Sequence, residues 1–222
     1  LRAYMLRVYN YMAVGLALTG LAAYFTFNMA VQNGALTAFG TAIFVGPLKW
    51  VVILAPLALV FFMSFRLHTL SVATAQAVFW IYAALVGVSF GSLGLIYTSG
   101  SIARVFLITA VAFGSLSLWG YTTKRDLSGW GSFLFMGLMG IIVASLVNIF
   151  FASSAMNFAL SVISVLVFTG FTAYDTQAIK ETYYEADSAT TMGHKAIMGA
   201  LRLYLDFINL FLSLLRLFGD RR

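Results

Sequence analysis

Residues 201–218 read LRLYLDFINLFLSLLRLF, and this stretch decides how the rest of the chain folds. It is long and apolar enough to cross a bilayer. Its polar residues are spaced by four, three, four and three positions, which places them on one face of an α-helix; they are Arg202, Asp206, Asn209, Ser213 and Arg216. In a chain this hydrophobic, such a face is expected to turn toward a bundle interior or an aqueous cavity.

The composition indicates a membrane protein with several spans. The 222 residues are 62% hydrophobic and 9% charged, with a mean hydropathy of +0.95, whereas soluble domains carry about 25% charged residues. The absence of cysteine excludes disulfides and thiolate metal sites. The net charge of +6 does not indicate nucleic-acid binding, because the basic residues are scattered between apolar runs and are better explained by topology.

Apolar runs long enough to span a membrane recur along the whole chain. They cover about 9–29, 48–65, 75–97, 102–121, 130–151, 157–179 and 201–218, with a charged loop over 180–195. The first run is longer than the core of a signal peptide and other spans follow it, so we interpret it as a retained helix. The sequence predicts an all-α integral membrane protein with seven transmembrane helices in one domain, 1–222, because no linker or repeat divides it.

The lysines and arginines orient these predicted spans. With a cytoplasmic amino terminus, eight basic residues fall on the cytoplasmic side and two near the outer loops, which satisfies the positive-inside rule. The first group is Arg2, Arg7, Arg66, Lys124, Arg125, Lys180, Lys195 and Arg202, and the second is Lys49 and Arg104. The basic residues after 215 leave the side of the carboxy terminus open.

Two carboxylates inside the predicted spans are the leading candidates for function. Asp175 lies in the last turns of the sixth run and Asp206 in the early turns of the seventh, on either side of one loop, so both should lie at a similar depth. An ionised side chain near mid-bilayer costs on the order of 3 kcal/mol, so it needs a partner or a task. We expect the two carboxylates to meet.

Polar side chains around the two aspartates predict a hydrated seam. The sixth run has a polar face of its own, formed by Asn157, Ser161, Ser164, Thr172 and Asp175. If it faced the polar face of the last helix, Thr172, Asn209 and Ser213 would line a pore. The alternative is that these small polar groups are helix-packing contacts, which is the commoner use of serine and threonine in membranes.

The carboxylate pair favours two kinds of chemistry. Two carboxylates at close range in a low dielectric cannot both ionise cheaply, so they would share one proton and sense pH. They could equally coordinate Ca²⁺, which prefers oxygen ligands, with Asn209 as a neutral ligand. Arg66, at the end of the second run, is a candidate countercharge, or an ordinary interfacial arginine.

Four short motifs resemble those of the bacterial branch of the Bax-inhibitor family of membrane proteins. The segment LYLDFINLF at 203–211, followed by LLR at 214–216, is close to the family's carboxy-terminal signature. YDTQ at 174–177 resembles its sixth-helix motif, and TKRDLS at 123–128 resembles the loop before its fifth helix. The likeness covers nearly the whole chain.

The resemblance implies a fold in which six helices surround a central last helix, in a bacterial inner membrane. It implies a pH-sensitive calcium leak with Ca²⁺ as the transported ion, no cofactor and no enzymatic activity. Asp175 and Asp206 would be a proton-sensing pair that helps to close the pore, and Arg66 would be a latch to one of them. The expected partners are therefore membrane lipids, Ca²⁺ and protons.

Two other functions remain open at this stage. A non-transporting protein that modulates other membrane proteins would use the aspartate pair to lock its fold. An intramembrane aspartyl protease would use it for catalysis, but this chain has Leu203-Tyr204-Leu205 directly before Asp206, where such enzymes have glycines, and it has no proline after Pro56. Serine and zinc hydrolases are disfavoured, because His68 and His194 are the only histidines and no span pairs one with a serine.

Overall fold

The computed structural model describes residues 1–222, and helices account for 83% of them. Seven helices are long and apolar enough to cross a membrane, so the predicted all-α seven-span architecture is confirmed. The helices are α1 (Arg2–Ala30), α2 (Ala38–Phe44), α3 (Leu48–Arg66), α4 (Val72–Phe90), α5 (Leu93–Ile96), α6 (Ser99–Thr122), α7 (Trp130–Phe151), α8 (Ser154–Glu181) and α9 (Ala189–Phe218).

The connection between the first two spans is more structured than the sequence analysis predicted. Two short antiparallel strands, β1 (Val31–Gln32) and β2 (Ala35–Leu36), pair directly after α1. Asn33 and Gly34 join them with positive φ angles of 51° and 77°, the conformation that two-residue hairpin loops favour. The short helix α2 then leads to α3.

The charged loop predicted over 180–195 is too long, because α8 continues to Glu181 and α9 begins at Ala189. Ser188 caps α9, since its Oγ accepts a 3.1 Å hydrogen bond from the Thr191 backbone N–H. Lys195 Nζ lies 2.5 Å from Asp187 Oδ2. The polar residues that suggested a loop are thus accommodated within the first turns of a helix.

The chain divides into two compact units. The first contains Leu1–Ile96, Glu185–Leu201 and Arg222, and the second contains Tyr97–Tyr184 and Arg202–Arg221. In the first unit α1 packs along α4, where Thr19 Oγ1 donates a 2.8 Å hydrogen bond to the Ala83 carbonyl. His194 Nε2 lies 2.8 Å from the Leu70 carbonyl, which ties the start of α9 to the segment after α3.

In the second unit α8 packs against both α6 and α7. A two-residue connection joins α7 to α8, and Ala152 adopts a left-handed conformation there, with φ 48°. Asn148 closes this corner: its Nδ2 donates to Asn157 Oδ1 at 2.8 Å, and its Oδ1 accepts from the Ser153 N–H at 3.0 Å. The polar groups of the corner therefore bond to one another.

The last helix is the most buried span. Within its most apolar window 72% of the residues are buried, compared with 11–33% in the other six spans. Its residues belong in part to each unit. The surrounding of α9 by six helices and the single-domain organisation over 1–222 both stay predictions.

Candidate functional site

A close approach between α6 and α8 fixes the backbone on which Asp175 stands. At Gly120 on α6, any Cβ atom would collide with the Ala173 carbonyl of α8, so only glycine permits this distance. One turn away, the hydroxyls of Ser117 and Thr176 share a 2.8 Å hydrogen bond. Both residues are buried, and Thr176 directly follows Asp175 in the sequence. The aspartate is thus carried by a rigid segment of α8.

The following turn of α8 holds the loop between α6 and α7. Gln177 Oε1 accepts from the Leu127 N–H at 2.7 Å, and its Nε2 donates to the Arg125 carbonyl at 2.8 Å. Lys180 Nζ donates to the Tyr121 carbonyl at 2.9 Å. Two side chains of α8 therefore satisfy three backbone groups of this loop and of the end of α6.

The same loop contains an exposed acidic turn. Asp126 Oδ1 accepts a 2.8 Å hydrogen bond from the Ser128 backbone N–H. This bond favours the ionised carboxylate and lowers the pKa of Asp126 below its usual value.

An aromatic cluster sets the orientation of α9 in the second unit. The ring of Phe207 lies 5.2 Å from that of Phe106 and 5.4 Å from that of Phe113, both on α6 and both edge-on. Edge-to-face contacts at this distance stabilise packing beyond the area that they bury. With Phe207 held against α6, the neighbouring Asp206 side chain is directed toward α8.

The structure brings Asp175 and Asp206 together. The two carboxyl groups are close enough to interact side chain to side chain, and the residues are only 9% and 5% exposed. A hydrogen bond between carboxyl groups requires a proton on one of them, because ionised carboxylates are acceptors only. Asp206 Oδ2 is buried and accepts no hydrogen bond from a donor group of the chain. The pair is therefore a buried contact between two acidic groups.

Arg202 is the cation next to this pair, and sequence analysis missed it. Its Nη1 lies 4.0 Å from Asp175 Oδ1, while 52% of its side chain stays exposed. The sequence places it only on the polar face of the last helix and among the basic residues of the cytoplasmic side. Its spacing of four from Asp206 was the available signal, since residues four apart share a helix face.

The three residues predicted to line a pore bond to their own helices. Thr172 Oγ1 donates to the Phe168 carbonyl, Asn209 Nδ2 to the Leu205 carbonyl and Ser213 Oγ to the Asn209 carbonyl, each at 2.8 Å. Thr172 and Ser213 are 0% and 1% exposed, respectively. A lining role for either would require a change in helix packing, and it stays a prediction.

The other predicted site features also stay predictions. Arg66 is an exposed residue of the first unit at the end of α3. No group of three or more histidine, cysteine, aspartate or glutamate side chains could hold a metal ion. The carboxyl pair falls short of the six to eight oxygen ligands that Ca²⁺ takes in a resident site.

A second acidic contact lies at the opposite end of α6. Asp220 Oδ2 pairs with Arg104 Nη2 at 2.7 Å. The backbone of Asp220 is also bound, because its N–H donates to Ser101 Oγ at 2.7 Å and its carbonyl accepts from the Thr98 N–H at 3.0 Å. The residues after α9 are thereby joined to the start of α6.

Comparison with known proteins gives matches over the full chain. The family model described as "Inhibitor of apoptosis-promoting Bax1" matches residues 1–222. The inner membrane protein YbhL of Escherichia coli (strain K12) is 47% identical over 224 residues, covering 100% of this chain and 93% of the relative. A Rickettsia prowazekii (strain Madrid E) protein is 50% identical over 224 residues, covering 100% and 91%. A Caulobacter vibrioides protein is 47% identical over 231 residues, covering 100% and 90%.

Proposed function

The chain belongs to the Bax inhibitor family of membrane proteins, and from that premise we propose that it is a pH-sensitive calcium leak channel of a bacterial inner membrane. The observation that carries the proposal is the buried contact between the side chains of Asp175 and Asp206. A contact inside a membrane span that forms only when one carboxyl group is protonated can be controlled by pH.

The proposed gate is the junction of α8 and α9 in the second unit. With one proton shared, the hydrogen bond joins the two helices and keeps the path closed. With the proton lost, two like charges stand at contact distance in a low dielectric and repel each other. Arg202 is the only cation within 4.0 Å of the pair, and it favours the ionised state by Coulomb attraction.

Calcium enters this proposal as the transported ion. The carboxylates would attract a hard cation transiently when the contact opens, with Asn209 one turn further along α9. Too few ligands are gathered for a permanent site, which suits a conduction path, because an ion must be able to leave it. The amino terminus is proposed to be cytoplasmic, on the basis of the basic-residue distribution.

Calcium flux across pH tests the proposal. The protein would be reconstituted alone in liposomes that contain a calcium dye, as wild type, Asp175→Asn and Asp206→Asn. We expect the wild-type flux to change with pH and both variants to lose that dependence, because an amide cannot exchange the shared proton. Asp220→Asn is the matched control, since it removes an exposed carboxylate of the same unit. A pH-independent flux that neither Asn variant alters would rule out gating by this pair, and the absence of any flux would rule out the channel.

A second function is favoured by one observation. The side chains of Thr172, Asn209 and Ser213 donate to their own helices, as they would in a tightly packed protein that modulates partners without conducting. In that case the aspartate pair locks the fold. The purified protein would then show no flux at any pH, while Asp206→Asn would lower thermal stability.

A further inference from the structure

We propose that a groove between α7 and α8 binds an anionic phospholipid, with an acyl chain in the groove and the headgroup at the loop between α6 and α7. The groove has a volume of about 380 Å³, within the range of ligand sites. It is lined by Gly129, Trp130, Phe133, Leu134, Leu166 and Gly170. All six belong to the second unit.

The shape of the groove depends on two glycines. At Gly129 a Cβ atom would meet nothing within 4 Å, so the end of the groove at the loop is open space. At Gly170 a Cβ atom would lie 2.6 Å from Leu134 Cδ2, so the absence of a side chain on α8 makes room for this leucine. Leu134 forms the buried wall, whereas Phe133 and Leu166 are exposed at the rims.

The loop end of the groove has the chemistry of a headgroup site. Lys124 and Arg125 are exposed, and neither takes part in the ion pairs of the structure. Gln177 binds the backbone of this loop at the Arg125 carbonyl and the Leu127 N–H, which fixes the path of the chain between these cations and Gly129. Asp126 opposes them, but its carboxylate is engaged by the Ser128 N–H.

The tryptophans at this end place the groove at the membrane boundary. The rings of Trp119 and Trp130 lie 6.2 Å apart and are 40% and 44% exposed, as in the aromatic belt of membrane proteins. An exposed indole N–H can donate to a phosphate or ester oxygen. An apolar groove that ends at an aromatic belt beside two free cations fits an acyl chain joined to an anionic headgroup.

Lipid selectivity at Trp130 tests this assignment. A protein with Trp130 as its single tryptophan (Trp50→Phe, Trp80→Phe and Trp119→Phe) would be placed in bilayers that mix brominated phosphatidylcholine with phosphatidylglycerol. Brominated chains quench a tryptophan that they contact, so the relative affinity of the two lipids follows from competition. We expect phosphatidylglycerol to bind at least fivefold more tightly, since each nearby cation contributes a factor of roughly five.

Variants separate the headgroup from the chain. The double substitution Lys124→Gln and Arg125→Gln should bring the ratio of the affinities for phosphatidylglycerol and phosphatidylcholine close to one. The double substitution Arg2→Gln and Arg7→Gln changes two exposed cations of α1 and should leave this ratio unchanged. Asp126→Asn should raise the preference for phosphatidylglycerol, because it removes the negative charge beside the two cations. Gly129→Leu should fill the groove and protect Trp130 from quenching, and Gly140→Leu, also in open space on α7, should not.

Three results would overturn the proposal. Equal affinity for the two lipids in the wild type would remove the anionic selectivity. A preference that survives the loss of both cations would place the headgroup elsewhere. A Trp130 that no brominated lipid quenches, together with cross-linking between copies through Phe133→Cys, would assign the groove to a second copy of this chain.

Discussion

The second unit holds two arginine–aspartate contacts, and the shorter one is the more exposed. Arg104 and Asp220 approach to 2.7 Å with side chains 57% and 63% exposed. Arg202 stays 4.0 Å from Asp175, whose side chain is 13% exposed. The Arg104–Asp220 contact looks stronger by distance, but only the Arg202–Asp175 contact, in which the arginine is 52% exposed and the carboxylate is buried, adjoins a second carboxyl group.

The difference shows why distance alone misjudges these contacts. Water and salt screen an exposed pair, which typically contributes 0–1 kcal/mol to stability. In a buried setting charges act over longer distances and a proton can decide the balance. We therefore expect changes around Asp175 to alter stability and pH response, and the equivalent changes around Asp220 to alter little.

The largest difference should appear when the packing of the two regions is disturbed. Gly120→Ala places a Cβ atom against the Ala173 carbonyl beside the buried pair and should lower the free energy of unfolding by about 2 kcal/mol through overpacking. Gly100→Ala, at the start of α6 near Asp220, meets open space and should stay within about 0.5 kcal/mol of wild type. Thermal unfolding in detergent micelles measures both. Equal losses would show that the two regions are packed alike.

A smaller difference should appear when each arginine is neutralised. Arg202→Gln removes the cation that favours ionisation of the aspartate pair, so the midpoint of the pH-dependent flux should move to higher pH. Arg104→Gln removes an exposed partner of Asp220 and should leave the midpoint in place. Flux titrations in liposomes compare the two variants. A shift of the midpoint in both variants, or in Arg104→Gln alone, would show that the two contacts do not differ in their effect on pH sensing.

The smallest effect is expected at the exposed loop carboxylate. The Ser128 N–H lowers the pKa of Asp126 below 3.8. A depressed carboxyl pKa contributes stability above the unfolded-state pKa and loses it as pH falls through the folded-state pKa. Between pH 5 and 8 the group stays ionised, so Asp126→Asn should not alter the pH profile of the flux. A changed profile would show that the loop takes part in pH sensing.

Sequence alone predicted the seven spans because a run of apolar residues is a local signal. It also indicated that Asp175 and Asp206 would meet, since one loop separates two helices that carry carboxylates at a similar depth. The hairpin at Asn33 and Gly34 was readable from this dipeptide, which is typical of two-residue turns, but it was not predicted. Each of these features depends on a few neighbouring residues.

The features that were not predicted from the sequence depend on packing between segments that are far apart along the chain. The proximity of Arg202 to Asp175 depends on the rotation of α9, which the contacts of Phe207 with Phe106 and Phe113 define. The loop predicted over 180–195 is too long because Lys195, a residue type common in loops, belongs to α9 and pairs there with Asp187. The bonds of Gln177 to the loop span about 50 residues of sequence.

The corner between α7 and α8 has a consequence for how the chain is made. Asn148 and the neighbouring polar groups satisfy one another within a two-residue connection, and unsatisfied backbone groups are what a bilayer tolerates least. A helical hairpin closed in this way needs no other part of the protein to complete its corner. The fifth and sixth spans can therefore close their shared corner before the last helix is in place.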